Sequence, residues 1–484
     1  MNTKLLKQKI LDLAIRGKLT QQLKSDGTAK DLLRQISEQK RESSSTVSSP
    51  RRRGSPSAQS EKTIIPLDKN EAPFEIPANW EWVRLPDVCS IPITDGTHQT
   101  PTYSNKEEGI PFLSAKDVTT QKIVWDKIKY ITKSLHEELC LRIAPQRNDI
   151  LLAKNGTTGV AALVETDIVF DIYVTLAVLR PRKIINPKFL LYFVNGPVAK
   201  AQFYASLKGV GVPNLHLSEI NKVILPLPPL AEQQRIVEKI QEAFAEIDSI
   251  ENNKELLKTH IKQARQKILD LAIHGKLVPQ NKTDEPASIL LERITRDNPH
   301  YEKIEDEPFE IPENWVWCKL GNLFFHTTGK ALKKANSTGI QRNYITTSNL
   351  YWGEFDLSEV RSMYFTEDEL DKCTAKKGDL LLCNGGDVGR AAIWNFDYDI
   401  CFQNHISRLR PKSVSLSNVF YLYVIRYNKE KGNLNGRGVG ITSLSANDLL
   451  SLVVPLPPLN EQSRIVAKIE ELFSTLDQME RNLV

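Results

Sequence analysis

Cysteine pairs at C-x-x-C spacing are absent from the sequence, although the chain contains 6 cysteines among its 484 residues. Their absence argues against a zinc ribbon and against a framework of disulfides. Unpaired thiols are typical of a reducing compartment, so we expect a cytoplasmic protein. Long apolar runs are absent too, since none approaches the roughly 20 residues of a membrane-spanning helix. The N-terminal segment is too evenly charged for a signal peptide, so the sequence predicts neither a membrane protein nor a secreted one.

Motifs of catalysis are also missing. The sequence has no G-x-x-x-x-G-K-[ST] loop, which argues against ATP hydrolysis, and no complete dinucleotide-binding fingerprint. The tetrapeptide of adenine methyltransferases, Asn or Asp followed by two prolines and an aromatic residue, does not occur. The 8 histidines show no spacing typical of a metal site. We therefore predict a protein that is not an enzyme by itself and that binds neither a metal nor a cofactor.

Charge and length set wide limits. The 64 Lys and Arg residues exceed the 59 Asp and Glu residues only slightly, which gives a net charge of +5. This excess permits a polyanionic partner without indicating one, because nucleic-acid binding depends on where the basic residues cluster. At about 100–200 residues per domain, the length allows two to four domains.

The sequence repeats itself. Three blocks occur twice: Gln8–Leu19 returns as Gln266–Leu277, Pro73–Leu85 as Pro308–Leu320, and Leu225–Ile240 as Val454–Ile469. The matches are too dense to arise by chance, so the chain contains a duplication. One copy is continuous in the middle of the chain, whereas the other is divided between the C-terminus and the N-terminus. The repeat is therefore cyclically permuted, and the chain termini divide one of its helices.

Two stretches between these blocks have diverged, Pro86–Ile224 and Gly321–Val453. A retained framework with divergent modules suggests two copies of one fold that recognise different targets. We expect the following order: an N-terminal helix fragment (1–20), a linker with a short helix and a Ser- and Arg-rich disordered stretch (21–72), a first module (73–229), a central spacer helix (230–277), a linker with a short helix (278–307), a second module (308–458) and a C-terminal spacer helix (459–484).

Apolar residues recur at alternating steps of four and three in both spacer segments. The central segment carries Ile236, Ile240, Ile247, Ile250, Leu257, Ile261, Ile268 and Leu271, with Ala243, Lys254 and Ala264 at the intervening positions, of which only Lys254 is polar. The C-terminal segment carries Ile465, Ile469, Leu472, Leu476 and Met479. This spacing is typical of a coiled-coil seam. The central rod would be about 65 Å long at roughly 1.5 Å per residue. We predict that it pairs antiparallel with the C-terminal helix, extended by the N-terminal fragment, and that a pseudo-two-fold axis relates the modules.

Each module mixes short apolar runs with turns rich in Gly, Asn and Asp, which is typical of a mixed α/β or strand-rich domain with variable loops. Helices are predicted at Pro187–Leu207 and Ser417–Lys431, and short amphipathic helices at Lys30–Gln39 and Ala287–Arg296. The predicted fold class is therefore mixed α/β, with two globular α/β domains separated by long antiparallel coiled-coil helices.

Polar segments of the modules suit contact with DNA. Asn and Gln match adenine, Arg and Lys match guanine, and hydroxyls and glycine amides suit phosphates. The candidates in the first module are Thr94, Asp95, Thr97, His98, Gln99, Lys116, Lys154, Asn155, Thr157 and Thr158. Those in the second module are Lys330, Lys333, Lys334, Arg342, Tyr344, Thr346, Ser348, Asn349, Asn384, Gln403, Asn404, His405 and Arg437. For any one of them, an ordinary polar loop is the alternative interpretation.

Over nearly its whole length the sequence resembles the specificity subunits of type I restriction–modification systems. The resemblance rests on LPLPPLAEQQRIVEKI with VPLPPLNEQSRIVAKI, the QKILDLAI-GKL pair, the PFEIP-NW-W openings, and the DGTH-TP and GD-LL-like segments. This combination is highly specific, whereas LPLPP alone would be weak. The N-terminal place of the first QKILDLAI block is similar to the permuted subtypes of the family. Asn148 stands where the family usually has glycine.

The resemblance implies two target-recognition domains, each of which reads one half of a bipartite, asymmetric DNA site. It also implies that the helices set the gap between the halves and bind two methyltransferase subunits. Those partners would carry S-adenosylmethionine and methylate adenine N6 after flipping the base out of the duplex. A restriction subunit that uses ATP and Mg²⁺ would join for cleavage of foreign DNA. The chain itself would supply no catalytic residue.

A stand-alone, two-headed DNA-binding regulator or scaffold is the alternative. Apolar residues beside the predicted seam favour the partnered interpretation, because exposed apolar helix faces mark interaction sites. They are Val237, Phe244, Leu256, Leu269 and Ile273.

Overall fold

The computed structural model describes residues 2–45, 67, 71–205, 214–296, 301–332, 338–434, 436 and 443–483. The chain forms two compact units, Met1–Asn252 and Asn253–Val484. Helices and strands are mixed in both, which confirms the predicted mixed α/β class. The Ser- and Arg-rich stretch predicted to be disordered lies largely outside the described residues.

Unit 1 contains short strands between helices. In chain order its elements are α1 (Thr3–Ile15), α2 (Ala29–Ser45), β1 (Glu81–Arg84), β2 (Thr94–Asp95), β3 (Tyr103–Ser104), β4 (Ile110–Leu113), β5 (Lys129–Ile131), α3 (Lys133–Cys140), β6 (Ile150–Ala153), β7 (Ala161–Leu163), β8 (Asp171–Ile172), β9 (Leu176–Leu179), α4 (Pro187–Asn195), α5 (Pro197–Ala205), α6 (Leu217–Ile220), β10 (Ile224–Leu227) and the start of α7 (Leu230–Ile273). The strands form the pair β1-β10 and two four-stranded sheets of order β2-β9-β6-β7 and β3-β5-β4-β8.

Unit 2 begins within α7 and repeats this plan beyond that helix. Its elements are α8 (Ala287–Thr295), β11 (Val316–Lys319), α9 (Leu320–Leu323), β12 (Phe324–Thr328), β13 (Ile340–Ile345), β14 (Arg361–Phe365), α10 (Glu367–Cys373), β15 (Thr374–Ala375), β16 (Leu380–Cys383), β17 (Ala391–Ile393), β18 (Ile400–Phe402), β19 (Ile406–Pro411), α11 (Asn418–Glu430), α12 (Ala446–Leu450), β20 (Val453–Leu456) and α13 (Leu459–Arg481). Its sheets are the pair β11-β20, β12-β19-β16-β17 and β14-β13-β18-β15.

The spacer helices run antiparallel within each unit, as predicted. In unit 1, Lys7 near the start of α1 pairs with Asp248, and Leu11 further along α1 joins the same apolar core as Ile240. In unit 2, Arg265 of α7 donates to Glu480 near the end of α13 at 3.0 Å, and Ile273 at the end of α7 joins the same apolar core as Ile465 near the start of α13. The helix α7 has 44 residues and lacks both Gly and Pro, which explains its unbroken length.

A buried carboxylate fastens each module to a spacer helix. Glu232, in the first turn of α7, is 0% exposed and accepts from Trp80 Nε1 at 2.8 Å and from Gln22 Nε2 at 2.9 Å. Glu461, in the first turn of α13, is also 0% exposed and accepts from Trp315 Nε1 at 3.0 Å. A hydrogen bond to a charged group contributes about 1.5–3 kcal/mol. We call this duplicated arrangement the carboxylate–indole clamp.

The residues that follow each clamp glutamate add two more contacts. The side chains of Gln233 and Gln462 accept from the backbone N–H of Asn186 at 2.9 Å and of Ser417 at 3.1 Å. Asn186 and Ser417 are the N-caps of α4 and α11. The sequence E-Q-x-R therefore connects the spacer helix to the main helix of the module in both units.

An ion pair completes the junction. Arg235 donates to Asp26, and Arg464 to Asp284, each at 2.7 Å. The hydrogen bond from each arginine lowers the pKa of its aspartate below the ordinary value. Burial raises the pKa of the Glu461 carboxyl, and the hydrogen bonds that it accepts from Trp315 and Gln280 offset part of that shift.

A close contact between a glycine of the first repeated block and a proline of the second holds the two blocks together. Gly17 and Gly275 end α1 and α7 with φ of +68° and +67°, a conformation that favours glycine. A Cβ on either would lie 2.4 Å from the Cγ of Pro77 or Pro312, so the side-chain-free backbone lets these prolines pack closely. The spacing between the QKILDLAI-GKL and PFEIP-NW-W blocks is thus fixed by direct contact.

Two features differ from the sequence prediction. The single helix expected at Pro187–Leu207 is two helices, because the chain leaves the helical conformation at Gly196, with Pro197 directly after it. Val237, Leu269 and Ile273 were expected to be exposed but are buried in the cores of their own units, at 2%, 0% and 1% exposure.

Burial along the predicted seam is uneven. Ile236, Ile240, Ile247, Ile261, Ile465 and Ile469 are buried, Ile268, Leu271, Leu472 and Leu476 are half-buried, and Ile250, Leu257 and Met479 are exposed. The exposed members show that the stripe is not covered along its whole length.

We predict that Gly275→Ala destabilises the protein by about 2–3 kcal/mol, since it adds a close contact with Pro312 to backbone strain. Gly353→Ala is the matched control, because Gly353 also has positive φ but no described residue would lie within 4 Å of its added Cβ. It should cost only about 1–2 kcal/mol. Thermal unfolding of the full chain measures both, and equal losses would contradict the packing argument.

Candidate nucleic-acid interface

The predicted DNA-contact segments of unit 1 converge on the turn between β8 and β9. Thr97 forms a parallel bridge with Tyr173 in this turn. Thr175, two residues on, accepts from the backbone N–H of Ala115 at 3.0 Å and of Lys154 at 2.8 Å. The segments near residues 95, 115 and 155 therefore meet at this turn.

The segments of unit 2 converge in the same way on the turn between β18 and β19. Lys330 forms a parallel bridge with Gln403. Asn384 donates from Nδ2 to the carbonyl of Asn404 at 3.2 Å and from its backbone N–H to the carbonyl of His405 at 3.0 Å. The two units therefore use one architecture, at turns with different side chains.

A glycine allows each bridge to form. A Cβ on Gly96 would lie 1.9 Å from the carbonyl oxygen of Ile172, and one on Gly329 would lie 2.2 Å from that of Phe402. Only glycine permits this close approach of two backbones. The sequence T-x-G at Thr94–Gly96 and Thr327–Gly329 was the signal for this equivalence, and sequence reasoning missed it.

A buried ionic network organises the first turn. Asp95 is 1% exposed and accepts from Lys154, from Arg142 Nη2 at 2.6 Å and from His98 Nε2 at 3.2 Å. Burial alone would raise the pKa of Asp95, but the bonds from Lys154 and His98 outweigh it and lower the pKa. Arg142, which sequence reasoning did not single out, also donates to the Asp95 carbonyl at 3.2 Å.

Burial divides the unit 1 candidates into two groups. Asp95, Thr97, Lys154 and Thr158 are buried, whereas His98, Gln99, Lys116 and Thr157 are exposed and Thr94 and Asn155 are half-buried. The Nζ of Lys154 is bound to Asp95, so Lys154 positions the turn rather than offering a free charge. The exposed group is the part of the prediction that can reach a DNA surface.

The unit 2 candidates divide likewise. Lys330, Tyr344, Thr346, Asn349 and Asn384 are buried, Gln403 and Asn404 are half-buried, and Arg342, Ser348 and His405 are exposed. Lys330 Nζ donates to Glu369 at 2.6 Å and to the Tyr364 carbonyl at 2.7 Å. Asn349 Nδ2 donates to the carbonyls of Asp356 and Glu359, both at 2.9 Å. Lys333, Lys334 and Arg437 lie outside the described residues.

The unit 2 turn lies in the same domain as a polar groove of about 730 Å³. The groove is lined by the basic residues Arg342 and Lys376, the acidic residues Asp371 and Asp399, and the amide of Asn343. Amide and guanidinium donors beside carboxylate acceptors match the mixed pattern that base edges present in the major groove.

An aspartate supports the strand next to each turn. Asp149 is 0% exposed and pairs with Arg180 at 2.7 Å, and Asp379 pairs with Arg410 at 2.6 Å. The residue before Asp149 is Asn148, with φ +73°, where the second unit has Gly378 with φ +91°. Asn tolerates this left-handed conformation better than most residues, which explains its presence at a glycine position.

The family model for the type I restriction modification DNA specificity domain matches residues 77–259 and 312–483. The chain belongs to this family. Each match begins three residues before a tryptophan of the carboxylate–indole clamp, Trp80 or Trp315, and extends into a spacer helix. Each therefore covers a recognition module together with its framework. The predictions of a type I specificity subunit, of DNA target recognition and of a subunit without catalytic activity of its own are thereby confirmed.

Relatives along the whole chain agree. The specificity subunit of the type I restriction enzyme EcoAI of Escherichia coli is 25% identical, over 98% of this chain and 90% of the relative. A chain from a structure that concerns complex assembly and conformational transition of the type I R-M system has a TM-score of 0.55 at 20% identity, covering 85% of this chain and 94% of that chain. The HsdS subunit from Thermoanaerobacter tengcongensis has a TM-score of 0.50 at 20% identity, with 85% and 93% covered.

As a specificity subunit of a type I complex, the chain has DNA and the other subunits of that complex as partners. None of the helices in the described part of the chain is long and apolar enough to cross a membrane.

We predict that Lys154→Met destabilises this specificity subunit by about 3 kcal/mol, because it leaves the buried Asp95 carboxylate without its closest cation. Lys116→Met is the matched control, since Lys116 is exposed, and should change stability by less than about 0.5 kcal/mol. Urea unfolding followed by tryptophan fluorescence measures both. If Lys154→Met is as stable as the control, then the ion pair between Lys154 and Asp95 does not contribute to the free energy of unfolding.

Proposed function

We propose that each unit reads one half of a divided, asymmetric DNA site through the exposed residues around its β8–β9 or β18–β19 turn. The supporting observation is that the two units form equivalent turns, each with a glycine that permits the close backbone approach, while the exposed side chains around the turns differ. His98, Gln99 and Thr157 surround the first turn, and Ser348 and His405 surround the second. One scaffold with two sets of side chains suits two different half-sites.

The spacer helices set the gap between the half-sites and dock the methyltransferase subunits. Exposed apolar side chains on the helices support this role, with Ile250, Leu256, Leu257 and Met479 exposed by 50%, 53%, 40% and 48%. Apolar surface of this kind marks an interaction site. Two methyltransferase subunits bind, one for each unit.

The chemistry belongs to the partners. The methyltransferase subunits carry S-adenosylmethionine and methylate adenine N6 in each half-site after flipping the base. Restriction subunits, which use ATP and Mg²⁺, join for cleavage of foreign DNA. The complex acts in the cytoplasm.

The test is to express the chain together with a methyltransferase subunit of its type I system and to map N6-methyladenine in the host DNA. We expect one divided motif that is methylated once in each half and that disappears without this chain. A soluble complex that adds no new motif would contradict the proposal. Tight site-specific binding by the chain alone would then favour the two-headed regulator.

A second experiment separates base contacts from phosphate contacts in unit 1. His98→Ala with Gln99→Ala should relax the motif in one half only, since a lost base contact costs about 1–3 kcal/mol of discrimination. Lys116→Ala, the matched control, should weaken DNA binding equally for all sequences and lower the salt slope by about one. Methylation mapping and salt-dependent binding assays measure these effects. Relaxation of both halves by the double variant would contradict the assignment of one half-site to unit 1.

A further inference from the structure

Three metal-ligating side chains meet beside the first recognition turn. His136 and Cys140 lie one helical turn apart on α3, and Asp171 lies on β8. Their donor atoms all fall within 4.8 Å of one another. None of the three is part of the DNA-contact prediction or of the carboxylate–indole clamp.

The distances suit a tetrahedral ion. The Sγ of Cys140 lies 3.4 Å from Nδ1 and 3.5 Å from Nε2 of His136. Zinc bonds of about 2.3 Å to sulfur and 2.0–2.1 Å to nitrogen place a sulfur ligand and a nitrogen ligand of one ion about 3.5 Å apart. The Asp171 Oδ2 lies 2.6 Å from His136 Nδ1, within hydrogen-bond range, and a small side-chain rotation opens this pair to the roughly 3.3 Å of a shared zinc.

The carboxylate has a donor atom to spare. The Asp171 side chain is 1% exposed, and its Oδ1 has no hydrogen-bond partner among the residues that the structure describes. A buried, unpartnered carboxylate oxygen is costly unless a cation or donor satisfies it. Cys140 is the last residue of α3, and a helix C-terminus favours a nearby cation.

The same helix C-terminus argues against a second use of these residues. A Cys–His–Asp arrangement can form a nucleophile with its base and orienting acid. Such a cysteine requires a stabilised thiolate, which helix N-termini provide and helix C-termini oppose. Coordination of a cation is therefore the chemistry that the position of Cys140 favours.

Unit 2 offers a natural comparison at the equivalent place. Thr132 caps α3 and Thr366 caps α10, so counting from the caps puts Leu370 and Thr374 where unit 1 has His136 and Cys140. Cys401 takes the place of Asp171. Cys401 lies on β18, which pairs in parallel with β13, and Asp171 lies on β8, which pairs in parallel with β4 in the equivalent sheet.

The residues of unit 2 form an apolar packing contact and a hydroxyl–thiol hydrogen bond instead of a ligand set. Leu370 packs against a buried cluster that contains Cys401, and Thr374 Oγ1 lies 3.6 Å from Cys401 Sγ. An apolar cluster is therefore sufficient to hold this helix on its sheet. Unit 1 buries a carboxylate beside an imidazole and a thiol at the same place, which packing alone does not require.

We propose that His136, Cys140 and Asp171 bind one divalent transition-metal ion, Zn²⁺ by the chemistry of its donors, as a structural site of the first recognition module. The ion displaces the thiol proton of Cys140, which passes to solvent, and a water molecule completes the tetrahedron. Binding fixes α3 against β8. Because Arg142 lies two residues after the end of α3 and donates to Asp95, the ion also stabilises the turn that carries His98 and Gln99.

The test uses Co²⁺ as a spectroscopic probe on the full-length chain after treatment with a chelator and removal of that chelator. We expect one Co²⁺ per chain, with an absorption band of a cobalt–thiolate bond that Zn²⁺ abolishes by displacement. Cys140→Ser should remove the band, and His136→Gln should weaken binding at least tenfold. Zn²⁺ should raise the melting temperature of the unaltered chain but not that of Cys140→Ser.

Cys373→Ser is the matched control, because it removes a cysteine of unit 2 and should leave the cobalt band intact. Circular dichroism checks that Cys140→Ser is folded, which its half-buried position favours. Failure of the unaltered chain to bind Co²⁺ would overturn the proposal. A thiolate band that persists in Cys140→Ser, or that is lost in Cys373→Ser, would overturn it as well.

Discussion

The hydrogen bond from a tryptophan indole to a buried glutamate carboxylate holds the two parts of each unit together. It joins the first turn of a spacer helix to the start of a module, and it occurs twice, at Glu232 with Trp80 and at Glu461 with Trp315. The glutamine and arginine that follow each glutamate extend the junction. All the strongly repeated blocks of the sequence meet at this point, which explains why they were retained while the modules diverged.

Beyond this junction the modules share backbone geometry but not side chains. Both turns depend on a glycine that permits a close backbone approach, and both supporting strands depend on an Asp–Arg pair. The buried polar groups inside the turns differ: Lys154 binds Asp95 in one unit, and Lys330 binds Glu369 in the other. Such a scaffold lets the exposed residues change without loss of the fold, as recognition of two different half-sites requires.

The sequence predicted the repeat, the permutation, the spacer helices and the mixed modules, because hydrophobic period and duplication are visible along the chain. It placed the starts of the spacer helices near residues 230 and 459 but did not indicate that Glu232 and Glu461 bind indoles there, since that contact joins residues far apart in sequence. Lys154 and Lys330 looked like free cations for the same reason, as spacing does not show a buried carboxylate. Only the exposed part of the candidate site therefore remains available for DNA.

The central claim is that framework and module are separable, and one exchange tests it most directly. Residues Pro86–Ile224 are replaced by Gly321–Val453, at junctions where Arg84 pairs with Ile224 and Lys319 with Val453 in equivalent strand pairs. The methylated motif of the resulting complex is then mapped. The account predicts a motif in which both halves are the second half-site of the unaltered protein. A motif that retains the first half-site would contradict it.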